Sequence, residues 1–464
     1  MSTESESYLA QRQLKSGSAG WLLLAGLGVG YVVSGDYSGW NFGLGQGGFG
    51  GLAIAAVIIA AMYLALVLGM AELSSALPAA GGGYTFARRA LGPWGGFATG
   101  TAILIEYSIA PAAIATFIGA YVESLNLFGI VDGWWVYLAV YAVFIGIHLT
   151  GVGEALKVMF VITAVALVGL VVFAIAAVGH FDAANLTDIP VTDAAGASSL
   201  LPFGYLGIWA ALPFAIWFFL AIEGVPLAAE EATRPERNVP RGIIAAMGVL
   251  LVTCATVLVL VPGAGGAEAM SESGNPLVEA LGGTTAATVV NYIGLAGLIA
   301  SFFSIIYAYS RQLFALSRAG YLPTKLSVTN RRKAPTFALI VPGLVGFALS
   351  LTGQGDLLLN MAVFGAAVSY VLMMVSHIVL RRREPGMARP YRTPGGVATT
   401  GFALVIAVLA VIATFLVHVV AALCCLGVFA LFMLYFAVYS RHHLVSNSPD
   451  EEFAMVAAAE HTLS

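Results

Sequence analysis

Charge is what this sequence lacks. Only 9% of its 464 residues are Asp, Glu, Lys or Arg, against 59% hydrophobic, which excludes an ordinary soluble globular domain. The three cysteines, Cys254, Cys424 and Cys425, lie in apolar runs without ligand spacing, so neither a disulfide framework nor a metal site is implied. No G-x-x-x-x-G-K-(S/T) phosphate loop occurs, which argues against direct ATP hydrolysis. His148, His180, His377 and His418 stand singly at the ends of apolar runs, and no nucleophile with a partnered base suggests an intramembrane enzyme. Charged and amide residues are nearly absent between Ile243 and Tyr309 apart from Asn291 and one loop, whereas a channel needs a continuous polar lining. No cofactor is implied. The basic clusters "NRRK" and "LRRREP" would need a soluble domain to present them to nucleic acid. On a membrane protein they set topology and touch anionic headgroups.

What is present in quantity is apolar sequence. A spanning helix needs roughly 20 mostly apolar residues. Twelve such runs can be read, at 19–35, 51–76, 96–122, 134–150, 155–179, 203–229, 242–262, 286–310, 334–352, 357–380, 397–418 and 419–439. The expected protein is therefore an all-α polytopic membrane protein with the bilayer as its main partner. The first nineteen residues are polar and show no cleavage pattern, so the first span is expected to stay in place.

The basic residues test this count, because cytoplasmic loops carry excess Lys and Arg. With a cytoplasmic N-terminus, all 20 basic residues fall in cytoplasmic segments or at cytoplasmic helix ends, from Arg12 and Lys15 to Arg441. The expected outer segments hold only acids, among them Asp36, Glu123, Asp132, Asp188, Glu268, Glu279 and Asp356. One extra or missing span in the middle would invert half of that pattern. Both termini are then cytoplasmic.

Two runs contain residues that disturb a helix. The first, "LLLAGLGVGYVV", carries Gly26, Gly28 and Gly30, and the sixth, "WFFLAIEGVPLAAEE", carries Glu223, Gly224 and Pro226. They are five helices apart, the offset expected if helices 1–5 and 6–10 are two repeats of opposite topology, each opening with a discontinuous helix. The organisation expected is a tail at 1–18, a first repeat at 19–179, a second at 203–380, two added helices at 397–439 and a tail at 440–464. Irregular backbone at membrane depth is tolerated only where protein or a wet cavity surrounds it, so both breaks point to one central site. The plain structural counterpart is that the glycines serve close helix packing.

Five stretches carry a resemblance over most of the chain: "GVG" in span 1, "AELSSALPAAGGGY", "IEGVPLAAEEATRPERNVPRGI", "YAYSRQLFALSRAGYLP" and "RPYRTPGG". In this order they resemble the amino acid, polyamine and organocation transporter superfamily. Within it, "SGDYSGWNFGL", "FARRALGPWGGFATGTAILIEYSIAPAAIATFIG" and "AIWFFLAIEGVPLAAEE" look like the ethanolamine permease branch. The resemblance implies a twelve-helix carrier of the cell membrane with a five-plus-five inverted repeat and two extra helices. It would import a small organic amine by alternating access; an amino acid or polyamine is the alternative cargo.

In amino acid carriers of that superfamily the first break resembles G-x-G-(small)-G and holds a carboxylate on freed N–H groups. Here it reads Gly28-Val29-Gly30-Tyr31-Val32, which suits a substrate without a carboxylate. An ammonium needs a carboxylate or carbonyls, an aromatic face, and, for ethanolamine, one polar group for the hydroxyl. Glu223 is the first candidate, since an acid inside a span faces the bundle interior and marks a pathway; it is also the candidate proton carrier. Glu106 is the only other acid well inside a span. Trp217, with Phe218, Phe219 and Ile222 before Glu223, matches the position of a substrate-capping aromatic in relatives, and Tyr31 or Tyr107 supplies the hydroxyl contact. The lysine that serves proton coupling in some relatives aligns with Ala166. Sodium coupling would use carbonyls of span 1 with Ser301 and Ser304, although such serines often bond their own backbone. Proton coupling or exchange through Glu223 is the expectation.

Overall fold

A computed structural model describes residues 17, 19–78, 81–126, 129, 131–150 and 155–445. Most of the two expected tails lies outside these residues. The described residues are 79% helix, with no strands among them. Its principal helices are α1 (Trp21–Val32), α2 (Leu44–Ala76), α3 (Gly83–Ser124), α4 (Trp134–Leu149), α5 (Ala155–Val178), α6 (Gly204–Trp217), α7 (Pro235–Gly265), α8 (Thr285–Arg318), α9 (Thr336–Ser350), α10 (Gly355–Arg383), α11 (Val397–Val417) and α12 (Val419–Val438). Nine helical segments among the described residues are long and apolar enough to cross a membrane, α6 being counted with the 3-10 helix that continues it. Two more, α4 with 16 residues and α9 with 15, are apolar but shorter. Helix α1 has 12 residues.

Helix α3 runs 42 residues and begins well before the expected 96. Gly92 explains the difference. It adopts φ 75°, ψ −170°, a region open almost only to glycine, and Pro93 starts the next helical segment in a position where its missing N–H is no loss. Helix α3 lies at the centre of the bundle with its apolar stretch almost wholly buried, while α12 lies at the edge and is mostly uncovered. Helix α10 packs most extensively along α3, α6 along α2, and both α2 and α1 along α7.

The glycine tract of the first run behaves differently from the sequence expectation. Helix α1 passes through Gly26, Gly28 and Gly30 without interruption. A Cβ added at Gly28 would lie 2.7 Å from the Cβ of Ala246 and 2.8 Å from a methyl of Val225; one at Gly30 would lie 2.9 Å from the Thr163 hydroxyl. The tract is a close-packing surface on which α5, α7 and the broken sixth span sit. The interruption comes later, at Val33, before the short helix Ser34–Tyr37. Asp36, expected in an outer loop, lies in that short helix and is fully buried.

Gly28→Ala is therefore expected to cost about 1–3 kcal/mol through overpacking. Gly248→Ala, with nothing within 4 Å, is expected to be neutral or to stabilise by up to about 1 kcal/mol. Thermal unfolding of the two purified proteins in one detergent separates them.

Candidate functional site

The sixth span breaks where Glu223, Gly224 and Pro226 suggest it should. Helix α6 ends at Trp217, residues 218–221 turn, and a 3-10 helix runs over Ile222–Glu231. Pro226 has no N–H for the carbonyl four residues back, so an α-helix cannot continue undisturbed. Ala221 pays for the turn with a left-handed φ of 75°, roughly 1–2 kcal/mol for a residue with a Cβ.

The first span is interrupted by a side chain. In a continuous helix the Ser34 N–H would bond to the Gly30 carbonyl. Instead the hydroxyl of Ser301, on α8, accepts from Ser34 N–H at 2.9 Å and donates to the Gly30 carbonyl at 2.8 Å. An inserted group of this kind opens a helix without leaving its backbone unsatisfied. Ser301 does not turn back on its own helix, whereas Ser304 does, donating to the Ala300 carbonyl at 2.6 Å.

Between the two breaks lies a buried carboxyl pair. Glu223 Oε1 accepts from the Tyr107 hydroxyl at 2.8 Å, and Oε2 from the Tyr370 hydroxyl at 3.0 Å. Tyr370 in turn pairs with the Tyr63 hydroxyl at 2.9 Å. Glu106 is completely buried, close enough to Glu223 for their carboxyls to interact, and neither of its oxygens has a hydrogen-bond partner. Tyr107 and Glu106, adjacent in α3, thus both serve Glu223. Gly224 admits the rings: a Cβ there would lie 3.0 Å from both the Tyr107 hydroxyl and the Tyr31 ring. The Tyr31 hydroxyl is buried without a partner. Val29, Gly28 and Gly30 contribute helix backbone and surface to α1, with no freed N–H, and Ile222 is buried at the start of the 3-10 helix.

The three aromatics before the break divide. Phe219 lies beside Tyr63, ring centroids 5.2 Å apart, and so joins the carboxyl cluster. Phe218 stacks on Trp40 at 5.1 Å. Trp217 donates its indole N–H to the Ser38 carbonyl at 3.0 Å and meets Phe117 edge-on. Trp217 and Phe218 therefore seal the end of the site where α1 has finished.

The opposite end is sealed by charge. Arg311 is buried against Glu231, with contacts of 2.7 and 3.0 Å, and its guanidinium sits 4.4 Å from the centre of the Tyr307 ring. Arg318 pairs with Glu230 at 2.8 Å. Glu72 meets Arg381, Arg389 and His377, and Arg89 pairs with Glu384. These partners of Glu72, Glu230 and Glu231 come from α8, α10 and the segment after α10. Backbone bonds from Ala19 N–H to the Glu231 carbonyl and from Thr233 N–H to the Ala19 carbonyl tie the start of α1 to the end of the sixth span.

The amino acid permease family model matches residues 20–439. The chain belongs to the amino acid permease family, within the amino acid, polyamine and organocation superfamily. It is similar to an uncharacterized transporter of Rhizobium meliloti (strain 1021), 28% identical, with 77% of this chain and 78% of the relative covered. It is 25% identical to the branched-chain amino acid permease BcaP of Bacillus subtilis (strain 168), covering 78% and 80%. It is 26% identical to the methylthioribose transporter of the same organism, covering 79% and 82%. The protein is thus a membrane-embedded permease and not an enzyme.

For this permease the sequence reading missed Tyr63 and Tyr370. A tyrosine in mid-span is a signal in principle, but the chain has 18, and only the packing of α2 and α10 shows which two reach the acids. The sealed end yields a test. Arg311→Gln strands Glu231 as an unpaired buried charge and is expected to cost about 3–5 kcal/mol, read as a fall in thermal midpoint. The double variant Arg311→Gln/Glu231→Gln is expected to recover much of that loss.

Proposed function

We propose that this permease is a secondary active transporter that imports ethanolamine, a small organic amine, by alternating access across the cell membrane. The observation that carries the proposal is the Glu223–Glu106 pair: two buried carboxyls in reach of each other, ringed by tyrosines, with Arg311, the nearby guanidinium, already engaged by Glu231. Burying charge is costly unless it is paired. An alkylammonium supplies that pairing, with the faces of Tyr31, Tyr107 and Phe219 to support it and the unpartnered Tyr31 hydroxyl to meet the substrate hydroxyl. A zwitterion fits less well. Its carboxylate would lie near two acids, and the α1 glycine tract, being regular helix, frees no N–H to receive it. A relative named as a methylthioribose transporter indicates that amino acid cargo does not follow from the family; an amino acid or polyamine remains the second reading.

The architecture that goes with this reading is twelve spans, helices 1–5 and 6–10 forming inverted repeats, α11 and α12 added, and both termini cytoplasmic. Its support is a packing pattern that a five-helix shift exchanges: α3 with α10 corresponds to α8 with α5, and α2 with α6 to α7 with α1. The one-sided placement of basic residues supports the orientation. Proton coupling runs through Glu223 in this scheme. Sodium coupling is less favoured, because Ser301 is committed to Gly30 and Ser34, and Ser304 to Ala300.

Uptake of labelled ethanolamine into liposomes containing the purified protein is expected to saturate and to be competed by ethanolamine but not by alanine. Equal competition by alanine would overturn the amine assignment. Glu106→Gln and Glu223→Gln are each expected to weaken ethanolamine uptake tenfold or more, the scale of a charged hydrogen bond. An imposed pH gradient should drive accumulation in the wild type. Glu223→Gln protein that still responds to the gradient would remove Glu223 from the coupling step.

A further inference from the structure

We propose that the groove between the starts of α1 and α7 holds the phosphate headgroup and upper acyl chains of an anionic phospholipid. The first observation is a set of cations that meet no partner among the described residues. Arg237 and Arg241, four residues apart, lie on one face of the start of α7, and Arg234 immediately precedes that helix. All three are exposed, and no side chain of theirs bonds to a described residue. Glu236, the acid among them, pairs with none of them, so the patch stays positive. This contrasts with Arg89, Arg311, Arg318, Arg381 and Arg389, each of which meets a carboxylate.

The second observation is the groove itself, a cavity of about 520 Å³ lined by Trp21, Pro240, Arg241, Ile244, Ala245 and Tyr391. It combines a guanidinium with an apolar floor and two amphipathic rings. It sits where the polar stretch 231–241 gives way to the apolar run of α7, the depth at which Trp and Tyr favour a membrane interface. Trp21 and Leu22 are 45% and 53% exposed beside it. Phosphate would meet Arg241, with Arg237 and Arg234 adding field, and the chains would lie along Trp21 and Ile244. A guanidinium fork suits phosphate oxygens. A choline headgroup, by contrast, would bring its own cation against the arginine face.

Such a lipid touches three parts at once: the base of α1, the base of α7 and the segment carrying Tyr391. Gly242, next to Arg241, is already so close to Leu24 of α1 that a Cβ there would lie 2.7 Å from the Leu24 Cβ. The occupant therefore braces the pair of helices that flank the first break.

Native mass spectrometry of the full chain, titrated with phosphatidylglycerol or phosphatidylcholine, tests the site. Wild-type protein is expected to retain phosphatidylglycerol preferentially. Arg241→Gln should weaken that retention about fivefold, the scale of one basic residue at an anionic surface, and Arg241→Glu should abolish the preference. Trp21→Ala should lower retention of both lipids. Equal retention of the two lipids by wild type, or an unchanged preference in Arg241→Glu, overturns the proposal. Competition by soluble glycerol phosphate at concentrations matching the lipid overturns it too, since the occupant would then be a free anion.

Discussion

Polar groups buried at membrane depth must find their partners inside the protein, and the rest of this structure follows from how that is done. The Ser301 hydroxyl stands between Ser34 N–H and the Gly30 carbonyl, so α1 opens by one link of its hydrogen-bond ladder while both groups stay bonded. The sixth span opens by a different route, through the left-handed Ala221 and a 3-10 helix. One break is held by a neighbouring helix and the other by local geometry. Movement of α8 relative to α1 would therefore act on the first break directly, because the same hydroxyl belongs to both.

Charge follows the same constraint except at the Glu223–Glu106 pair and at Asp36, which is buried with neither carboxyl oxygen hydrogen-bonded among the described residues. Glu72, Glu230, Glu231 and Glu384 are each matched by arginine. These pairs join distant helices and close one end of the site. Among the described residues Glu223 accepts from two neutral hydroxyls, and Glu106, within reach of Glu223, has no hydrogen-bond partner by geometry. That contrast between paired acids and the Glu223–Glu106 pair is what the proposal of an ammonium substrate rests on.

The aromatic residues divide the work along the site. Trp217 and Phe218 lie against Ser38, Trp40 and Phe117, while Phe219, Tyr63, Tyr107 and Tyr370 surround the acids. Consecutive residues 217–219 serve different ends because the chain is no longer a regular helix after Trp217. A helical projection of the sequence cannot assign them.

The sequence by itself determined the chemistry of the solvent: scarce charge and continuous apolar runs of roughly 20 residues specify a helical membrane protein, because a helix satisfies the backbone of such a run within itself. It also marked the sixth break, through Pro226 and Gly224, since those residues disturb a helix whatever surrounds them. It marked Glu223 and Glu106, since acids in apolar runs are rare. Tertiary structure decided the rest. The glycines of α1 pointed to a break, with close packing as the counterpart, and only the approach of Val225, Thr163 and Ala246 shows that they are a packing surface. Ser301, Tyr63 and Tyr370 lie far from Gly30 and Glu223 in sequence. Their roles rest on bonds across helix interfaces, which no local pattern encodes. The arginine partners of Glu72, Glu230 and Glu231 were fixed the same way, by which helix ends share a face once the bundle has packed.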